Sequence, residues 1–318
     1  MTEWLAPCYD TPYDGYVRAA LVINPACGDA ESAQAAVMAA SRRHGWQDPL
    51  VLATTEQQPG ASQAQEALDA GVDRVVVAGG DGTLRQVAGV VGDVPVGVMP
   101  IGTANIVARN LRLPRHRLDK AAEVALCGVP ITLSVGWVKC KTDGQWGQEM
   151  PMLAVAGIGR DAQAIATIKP WLKRHLGWLA YVESGGRAAF SGSLPMTVSL
   201  DGASPIEMAA WSVLVAAMPR LPLKVKAFFN VTPGDDSFEV LHVLLKRPRE
   251  WWSVAAKGIA HTKAAVPALC YKRARQVLVR PHEPCAVQID GDLISGVEQM
   301  SVRMQAGAVA IASGPWRA

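Results

Sequence analysis

The sequence predicts an α/β N-terminal domain with a parallel sheet, followed by an antiparallel, β-sandwich-like C-terminal domain. As far as about residue 130, almost wholly apolar strands alternate with helical patterns, which is typical of a parallel sheet covered on both faces. From about Ile131 the apolar segments are short and rich in β-formers, and Asp-Gly turns separate several of them. The predicted domains are residues 1–130 and 131–302, with a C-terminal segment at 303–318.

Four strands are predicted in the first domain, each followed by a helix. The strands are residues 18–23, 49–54, 74–78 and 94–100. The helices are residues 30–44, 61–70 and 83–91, and a fourth that begins near Thr103. Asp29 is placed to cap the first helix, and Gly45 to end it.

The second domain has eight short strand patterns and two longer helical ones. The strands are residues 131–140, 152–157, 196–200, 212–218, 238–245, 276–280, 286–290 and 300–304. The helical stretches are residues 161–189 and 249–263. Such a pattern predicts a sandwich or a barrel-like arrangement of antiparallel strands.

Composition and charge exclude several classes of protein. No apolar run reaches about 18 residues, and the N-terminus lacks the features of a signal peptide, so we expect no membrane span and no secretion. Six cysteines without a C-x-x-C spacing predict reduced thiols, and the six histidines show no zinc-binding spacing. Residues 1–130 carry 10 Lys and Arg against 14 Asp and Glu, and residues 131–318 carry 21 against 14. The basic second half indicates either attraction to an anionic surface or an ordinary solvated surface.

A glycine loop, GGDGT at residues 79–83, separates the third strand from its helix. Gly79 and Gly80 lack a Cβ, so the backbone can turn sharply and approach a ligand. The helix directs free N–H groups and its positive dipole end at the loop, which favours phosphate. Asp81 repels phosphate but fits a Mg²⁺ that bridges phosphate oxygens, and Thr83 is expected to cap the helix. A glycine-rich turn in which Asp81 is only a cap is the simpler alternative.

Two more loops of small residues follow neighbouring strands. NPACG at residues 24–28 ends the first strand, and GTAN at 102–105 follows the fourth. Because the carboxyl ends of parallel strands meet at one edge of a sheet, where α/β proteins bind ligands, we expect the three loops to lie together. They match neither a Walker A loop nor the G-x-G-x-x-G fingerprint, and protein-kinase signatures are absent from the sequence.

GGDGT, NPACG and PIGTANIVARNL (100–111) in combination resemble the diacylglycerol kinase catalytic-domain family. That family includes bacterial lipid kinases and sphingosine kinases, and it is related to NAD kinases and phosphofructokinases. GGDGT alone would also fit an NAD kinase. GIGRDA (157–162), KRHLGWLAYV (173–182) and VQIDGD (287–292) favour a lipid kinase, and the resemblance spans roughly residues 18–310.

The resemblance implies an ATP-binding first domain, a lipid-binding second domain and an active site in the cleft between them. It also implies that the C-terminal segment returns to the first domain. ATP and Mg²⁺ are the implied cofactors, and the γ-phosphate would pass to the hydroxyl of a diacylglycerol or sphingoid-type lipid. The implied nucleotide and phosphate contacts are Asn24, Thr54, Gly79, Gly80, Asp81, Gly82, Thr83, Gly102, Thr103 and Asn105.

The resemblance assigns catalysis to two carboxylates, Asp81 and Asp290. Asp290 is the expected general base toward the acceptor hydroxyl, which requires that it be positioned against that hydroxyl. The family usually has Asp-Gly-Glu here, so Asp292, one methylene shorter than Glu, is an altered metal or loop contact. The alternative for this segment is a plain Asp-Gly hairpin turn.

An acidic segment that holds a structural Mg²⁺ in some relatives reads DDSFEV in this sequence. Asp235, Asp236 and Glu239 could supply oxygen ligands to a second metal ion there. Surface acids in a turn are the alternative. The PRLPLKVKAFFN segment (219–230) also departs from the glycine-rich run of relatives, so the wall of the lipid cleft is expected to differ.

The expected partner is a lipid substrate presented at a membrane surface, with the protein cytoplasmic and peripherally membrane-associated. Trp171, Trp178, Trp251 and Trp252 stand among basic residues, which suits the interface between water and anionic headgroups; core positions are the alternative. We expect no nucleic-acid partner, because the aromatic residues accompany aliphatic ones rather than forming a stacking array. A homodimer is left open by analogy with relatives. The alternative functions are an NAD kinase-like soluble kinase and a non-catalytic nucleotide- or lipid-binding protein.

Overall fold

The chain forms two compact units in a computed structural model, which describes residues 17–162, 192–220, 227–245, 250 and 266–314. Unit 1 comprises Met1–Leu133 and Gly307–Ala318, and unit 2 comprises Ser134–Ala306. The sequence places the boundaries at residues 130 and 302, a few residues before those of the structure. The predicted helical stretches 161–189 and 249–263, with their four tryptophans, lie almost wholly outside the described residues.

Unit 1 is built on a parallel sheet flanked by helices. Its strands are β1 (Ala19–Ile23), β2 (Leu50–Ala53), β3 (Arg74–Gly79) and β4 (Val96–Pro100). Its helices are α1 (Ala30–Arg43), α2 (Ala61–Asp69), α3 (Asp81–Ala88), α4 (Ile106–Asn110) and α5 (Leu118–Cys127). The strand order is β4-β3-β1-β2, with every neighbouring pair parallel.

Burial explains why the strands of unit 1 are apolar. Every residue of β1, β3 and β4 is buried, as expected for strands covered on both faces. Helix α1 buries Ala33, Val37 and Ala40, which recur every three to four residues on one face. The four predicted strands and the first two helices are therefore confirmed. The third helix begins at Asp81 and the fourth at Ile106, so their predicted starts at residues 83 and 103 are wrong.

Unit 2 consists of antiparallel strands, apart from the ends of two strands that extend into unit 1. The strands are β5 (Val129–Thr142), β6 (Gln145–Trp146), β7 (Met150–Met152), β8 (Val155–Gly159), β9 (Leu194–Leu200), β10 (Ile206–Ala210), β11 (Ser212–Ala216), β12 (Phe238–Val243), β13 (Leu269–Ala274), β14 (Gln276–Pro281), β15 (Cys285–Ile289) and β16 (Asp292–Ser313). One run of paired strands is β13-β12-β11-β8-β15-β16, and a second joins β10, β9, β14, β16, β5 and β7. Side chains from both runs form one buried cluster, which includes Ile158, Phe238, Met196 and Val277. Within unit 1, the end of β16 pairs with β4 in parallel through Ile311 and Val96.

Three Asp-Gly hairpin turns fix the register of unit 2. Asp143, Asp201 and Asp290 have φ values of 49°, 52° and 50°, and the glycine after each also has a positive φ. Two successive residues with positive φ make the turn whose twist matches that of paired strands. The turns predicted from these dipeptides are confirmed, and strands β6, β10 and β13 are additional to the prediction.

Cysteine chemistry differs from expectation at one position. Cys27, Cys140, Cys270 and Cys285 are free, but Cys127 is disulfide-bonded, so the prediction of reduced thiols throughout is wrong there. In the described part of the chain, no helix has the length and apolarity that crossing a membrane requires.

Gly97 allows strand β4 and helix α5 to approach closely. A Cβ at this position would overlap the carbonyl group of Ala125 on α5. Arg74 reinforces the same contact from β3, because its Nη1 donates to the carbonyl oxygen of Ala125 at 3.1 Å. We therefore expect this helix-to-sheet contact to tolerate no side chain at residue 97.

Gly97→Ala is predicted to lower the free energy of unfolding by about 1–3 kcal/mol, the usual cost of an overpacked core. Gly28→Ala is the control, because a Cβ at Gly28 would have no atom within 4 Å. Thermal and urea unfolding measure both variants. Equal stability of the two would contradict the close approach of β4 and α5.

Candidate functional site

The first loop of the candidate site is shaped by the contact between Gly79 and Thr83. A Cβ on Gly79 would lie 2.9 Å from the Cβ of Thr83, so the threonine occupies the space that a larger residue would need. Thr83 is the third residue of α3 and is buried, so the prediction that it caps the helix is wrong. The N-cap is Gly80, which has no side chain, and the first-turn N–H groups of α3 are left without a side-chain cap.

The second loop, GTAN, packs directly on the first. A Cβ on Gly102 would overlap the Cα of Gly80, and the Gly102 N–H donates to the carbonyl oxygen of Gly79 at 3.2 Å. Asn105 holds this loop in shape. Its Nδ2 donates to the carbonyl oxygens of Pro100 and Gly102, at 2.9 and 2.7 Å, and its own φ is 48°.

Asp81 connects the two loops. It lies in the first turn of α3, and its Oδ1 accepts a hydrogen bond from the Val107 N–H at 3.1 Å, at the start of α4. Burial raises the pKa of Asp81, and N–H groups of α4 together with the Arg109 guanidinium offset part of that rise. The two helix N-termini therefore share one carboxylate, which sequence patterns did not predict.

Asn24 and Thr54 end the neighbouring strands at the same edge of the sheet. The Asn24 N–H donates to the carbonyl oxygen of Ala78 at 2.9 Å, and the Thr54 N–H donates to that of Ile23 at 2.8 Å. The structure thus places Asn24, Thr54 and both glycine loops along one carboxyl edge, as expected. Thr103 is exposed there, and Gly82 is partly buried.

Asp290 lies in the turn between β15 and β16 of unit 2. Its carboxylate accepts three backbone N–H bonds: Oδ2 from Leu153 at 2.7 Å, and Oδ1 from Ala154 and Val155 at 2.9 and 2.8 Å. The Asp290 side chain is therefore held in a single orientation. The turn not only joins β15 to β16 but also binds the backbone of residues 153–155.

Asp161 is a buried carboxyl group that sequence reasoning did not select, although it stands within the GIGRDA segment. Ser212 Oγ donates to Asp161 Oδ1 at 2.6 Å, and Gln288 Nε2 lies 3.5 Å from Oδ2. Gln288 in turn accepts a hydrogen bond from the Gly291 N–H, beside Asp290. Burial raises the pKa of Asp161 to about 6, and the bond from Ser212 opposes the rise. This network supports the turn that carries Asp290.

The acidic segment at residues 235–239 does not gather its oxygens at one point. Glu239 is fully buried and accepts bonds from the Phe229 and Asn230 N–H groups at 2.8 and 2.9 Å. Asp235 pairs with Arg273 at 3.0 Å, and Asp236 pairs with Arg275. These three carboxylates are absent from the groups of the described chain whose oxygens lie close enough to share an ion. Their partners make them structural members of the 229–239 loop.

Asp292, the other predicted metal ligand of unit 2, is exposed at the first position of β16. Its assignment, the general-base assignment of Asp290 and the interdomain location of the active site stay predictions.

A comparison with protein families identifies the domain that carries the two glycine loops. Residues 18–138 match the family model of the diacylglycerol kinase catalytic domain. The resemblance that the GGDGT and GTAN motifs indicate is thereby confirmed, and all ten predicted nucleotide contacts fall inside the matched range.

Individual relatives support the same assignment. The diacylglycerol kinase of Bacillus subtilis (strain 168) is 26% identical over 248 residues, which cover 76% of this chain and 78% of that protein. The "Probable lipid kinase YegS-like" of Pseudomonas fluorescens is 36% identical over 155 residues, 47% of this chain and 48% of its own length. The alignment thus spans about half of the YegS-like relative. These relatives support a kinase of the lipid kinase class.

A solved structure supports the fold class. The crystal structure of a diacylglycerol kinase from Bacillus anthracis str. Sterne aligns with a TM-score of 0.69 and 19% identity. The alignment covers 95% of this chain and 99% of the chain from Bacillus anthracis. The predicted combination of a parallel α/β domain and an antiparallel strand-rich domain is confirmed.

Asp161→Asn is predicted to change the pH dependence of stability. The folded-state pKa of Asp161, about 6, lies above its ordinary value of 3.8, so the folded state favours the protonated carboxyl group. This contribution is complete below pH 3.8 and is lost as the pH rises through about 6. The variant should therefore gain thermal stability relative to the wild type between pH 4 and 7.

Ser212→Ala is the companion variant, because it removes the bond that opposes the rise in the pKa of Asp161. In Ser212→Ala the pKa of Asp161 should be higher than in the wild type. The fall in stability with rising pH should therefore continue to a higher pH in the variant. Unfolding midpoints measured across this range test both variants. A stability difference between Asp161→Asn and the wild type that does not vary with pH would contradict a raised pKa.

Proposed function

We propose that this chain is an ATP- and Mg²⁺-dependent lipid kinase that transfers the γ-phosphate to the hydroxyl of a diacylglycerol or sphingoid-type lipid. The observation that carries the proposal is the joining of GGDGT and GTAN around Asp81 at the carboxyl edge of the sheet. The match of residues 18–138 to the family model supports a lipid kinase, and the uncapped N-terminus of α3 beside the two glycine loops supports phosphate binding at this edge. Peripheral membrane association, a cytoplasmic location and a homodimer are further parts of the proposal.

The phosphates of ATP fit the edge formed by α3 and the two loops. The first-turn N–H groups of α3 have no side-chain cap, and a helix N-terminus attracts negative charge. Gly80 and Gly102 keep both loops free of side-chain bulk where their backbones meet. Asn24, Thr54 and Thr103 have polar side chains at the same edge. We assign them to hydrogen bonds with the ribose and base of the nucleotide.

Asp81 is the residue of unit 1 that suits Mg²⁺. An ionised carboxylate has about four acceptor positions, so Asp81 can keep its bond to Val107 and still ligate an ion. A divalent cation would favour the ionised form that burial disfavours. When bound, Mg²⁺ neutralises charge on the transferring phosphate. Asp292 is the second carboxylate that we assign to the metal.

Asp290 is proposed as the general base. The N–H groups of Leu153, Ala154 and Val155 fix the orientation of its carboxylate, which would accept the proton of the lipid hydroxyl. Phosphoryl transfer depends mainly on positioning and electrostatics, so a rigidly held carboxylate suits this step. The network through Gln288 and Asp161 holds the same turn.

Label transfer tests the reaction itself. The protein is incubated with Mg²⁺, γ-labelled ATP and mixed micelles of diacylglycerol, sphingoid base or ceramide, with NAD as the soluble acceptor. We expect label in at least one lipid and none in NADP. Label in NADP alone would establish an NAD kinase-like enzyme, and ATP binding without transfer to any acceptor would indicate a non-catalytic protein.

Asp290→Asn is predicted to lower kcat by about 10²- to 10⁴-fold, the usual contribution of a general base. ATP affinity should be unchanged, because the substitution is in unit 2. Asp201→Asn is a matched control: Asp201 also precedes glycine in a turn with positive φ, and it accepts the Arg275 and Gln276 N–H groups at 2.8 Å each. Equal activity of the two variants would remove Asp290 from the base assignment.

Asp81→Asn is predicted to abolish Mg²⁺-dependent transfer without loss of thermal stability. The amide oxygen can still accept the Val107 N–H, and the variant has no buried charge to stabilise. Asp73→Asn is the control, since the exposed Asp73 accepts one backbone N–H, from Arg18 at 2.8 Å. Retained transfer in Asp81→Asn, or a fall in its unfolding midpoint well beyond that of Asp73→Asn, would contradict the metal assignment.

A further inference from the structure

Unit 2 contains a pocket of about 300 Å³. No residue to which we assign a role in the proposed reaction lines this pocket. Strands β5, β14 and β16 and the loop after β14 line it, and their polar contributions are Lys141, Arg280, His282, Glu298 and Gln299. This volume is at the lower end of the range found for small-molecule sites. The pocket therefore has room for a headgroup-sized ligand.

Strand register explains why these residues meet. Val279 of β14 pairs with Met300 of β16, so the next residue along β14, Arg280, reaches Gln299. Arg280 also pairs with Thr197 of β9, and β5 pairs with β16. The pocket is thus lined by three strands of one paired sheet together with the loop after β14, and the strand pairing favours a fixed geometry.

The donors that face this pocket make no side-chain hydrogen bond or ion pair with the residues that the structure describes. Gln299 is only 8% exposed, yet its amide makes no hydrogen bond to any residue in the described part of the chain. The charged ends of Lys141 and Arg280, and the ring of His282, likewise have no described hydrogen bond or ion pair. Because its amide lines the pocket and has no described partner, Gln299 is available to donate a hydrogen bond to a ligand there.

Charge limits the kind of ligand. Lys141 and Arg280 contribute two positive charges, and Glu298, which accepts the Gly144 N–H at 3.2 Å, contributes one negative charge. The net charge of the lining is +1 with His282 neutral, which matches an anion of one negative charge. Arginine and lysine with an amide donor suit phosphate oxygens.

A second pocket, of about 140 Å³, shares Arg280 and Gln299 with the first. Leu278 and Pro205 give it apolar lining, and Ser199, opposite Leu278 in the sheet, adds a hydroxyl. A ligand with carbon groups on both sides of its phosphate would fill both pockets. A phosphodiester has this arrangement and carries a single negative charge.

We propose that the paired pockets bind a phosphodiester group through Lys141, Arg280 and Gln299. Two sources present this group: the headgroup of an anionic phospholipid in a membrane, and a soluble phosphodiester. The former would give the kinase a contact with the membrane separate from its acceptor lipid.

Binding experiments with the full-length protein distinguish the two sources. One arm measures co-flotation with vesicles of phosphatidylcholine, with and without phosphatidylglycerol. The other arm titrates glycerophosphoglycerol, the deacylated headgroup, by calorimetry. Neither arm involves phosphoryl transfer, so the outcome does not depend on the proposed kinase activity.

Gln299→Leu is the decisive variant, because it removes the amide without changing the net charge. It should fold, since Gln299 makes no described hydrogen bond and leucine is of similar size. Lys141→Gln and Arg280→Gln should each weaken binding about fivefold or more. Lys272→Gln is the control for charge: Lys272 is exposed on β13 and lies outside both pockets.

Several-fold loss of vesicle binding in Gln299→Leu, with Lys272→Gln unchanged, would establish the headgroup as the ligand. The same pattern confined to glycerophosphoglycerol would establish a soluble phosphodiester. Equal losses in Lys141→Gln and Lys272→Gln, with no effect of Gln299→Leu, would mean diffuse charge attraction and would overturn the proposal. Absence of binding in both arms would overturn it as well.

Discussion

The candidate nucleotide edge depends on one close backbone contact, between Gly80 and Gly102. This contact brings the loop after β3 against the loop after β4, and a Cβ on Gly102 would overlap the Cα of Gly80. Asp81 can then reach the Val107 N–H and cap α4 while it stands in the first turn of α3. The uncapped N–H groups of α3 and the Asp81 carboxylate take their positions from this arrangement, and strand pairing places Asn24 and Thr54 at the same edge.

In unit 1 the sequence predicts the strands and the residues of the candidate site well, because both follow from patterns between neighbouring residues in the chain. Apolar runs identify buried strands, and loops of small residues after adjacent parallel strands must share an edge. The starts of α3 and α4 were predicted less well. Thr83 looks like a cap, but its side chain packs against Gly79, and Asn105 enters α4 through a positive φ that periodicity does not reveal.

In unit 2 the limits of sequence reasoning arise from long-range contacts. The Asp-Gly turns are local and were predicted, whereas the three N–H groups that hold Asp290 come from residues 153–155, far away in sequence. Asp161 was overlooked for the same reason, since Ser212 and Gln288 reach it only in the folded sheet. Asp235, Asp236 and Glu239 looked like metal ligands because their partners, among them Arg273 and Arg275, are invisible in a local segment.

The central claim is that the joined GGDGT and GTAN loops bind the phosphates of ATP. Hydrogen–deuterium exchange of the full chain, with and without ATP and Mg²⁺, tests it most directly because it reports on individual backbone amides. The account predicts slower exchange on ligand addition at residues 79–84 and 102–107, with smaller effects at Asn24 and Thr54. Unchanged exchange in both loops under conditions where ATP is bound would contradict it.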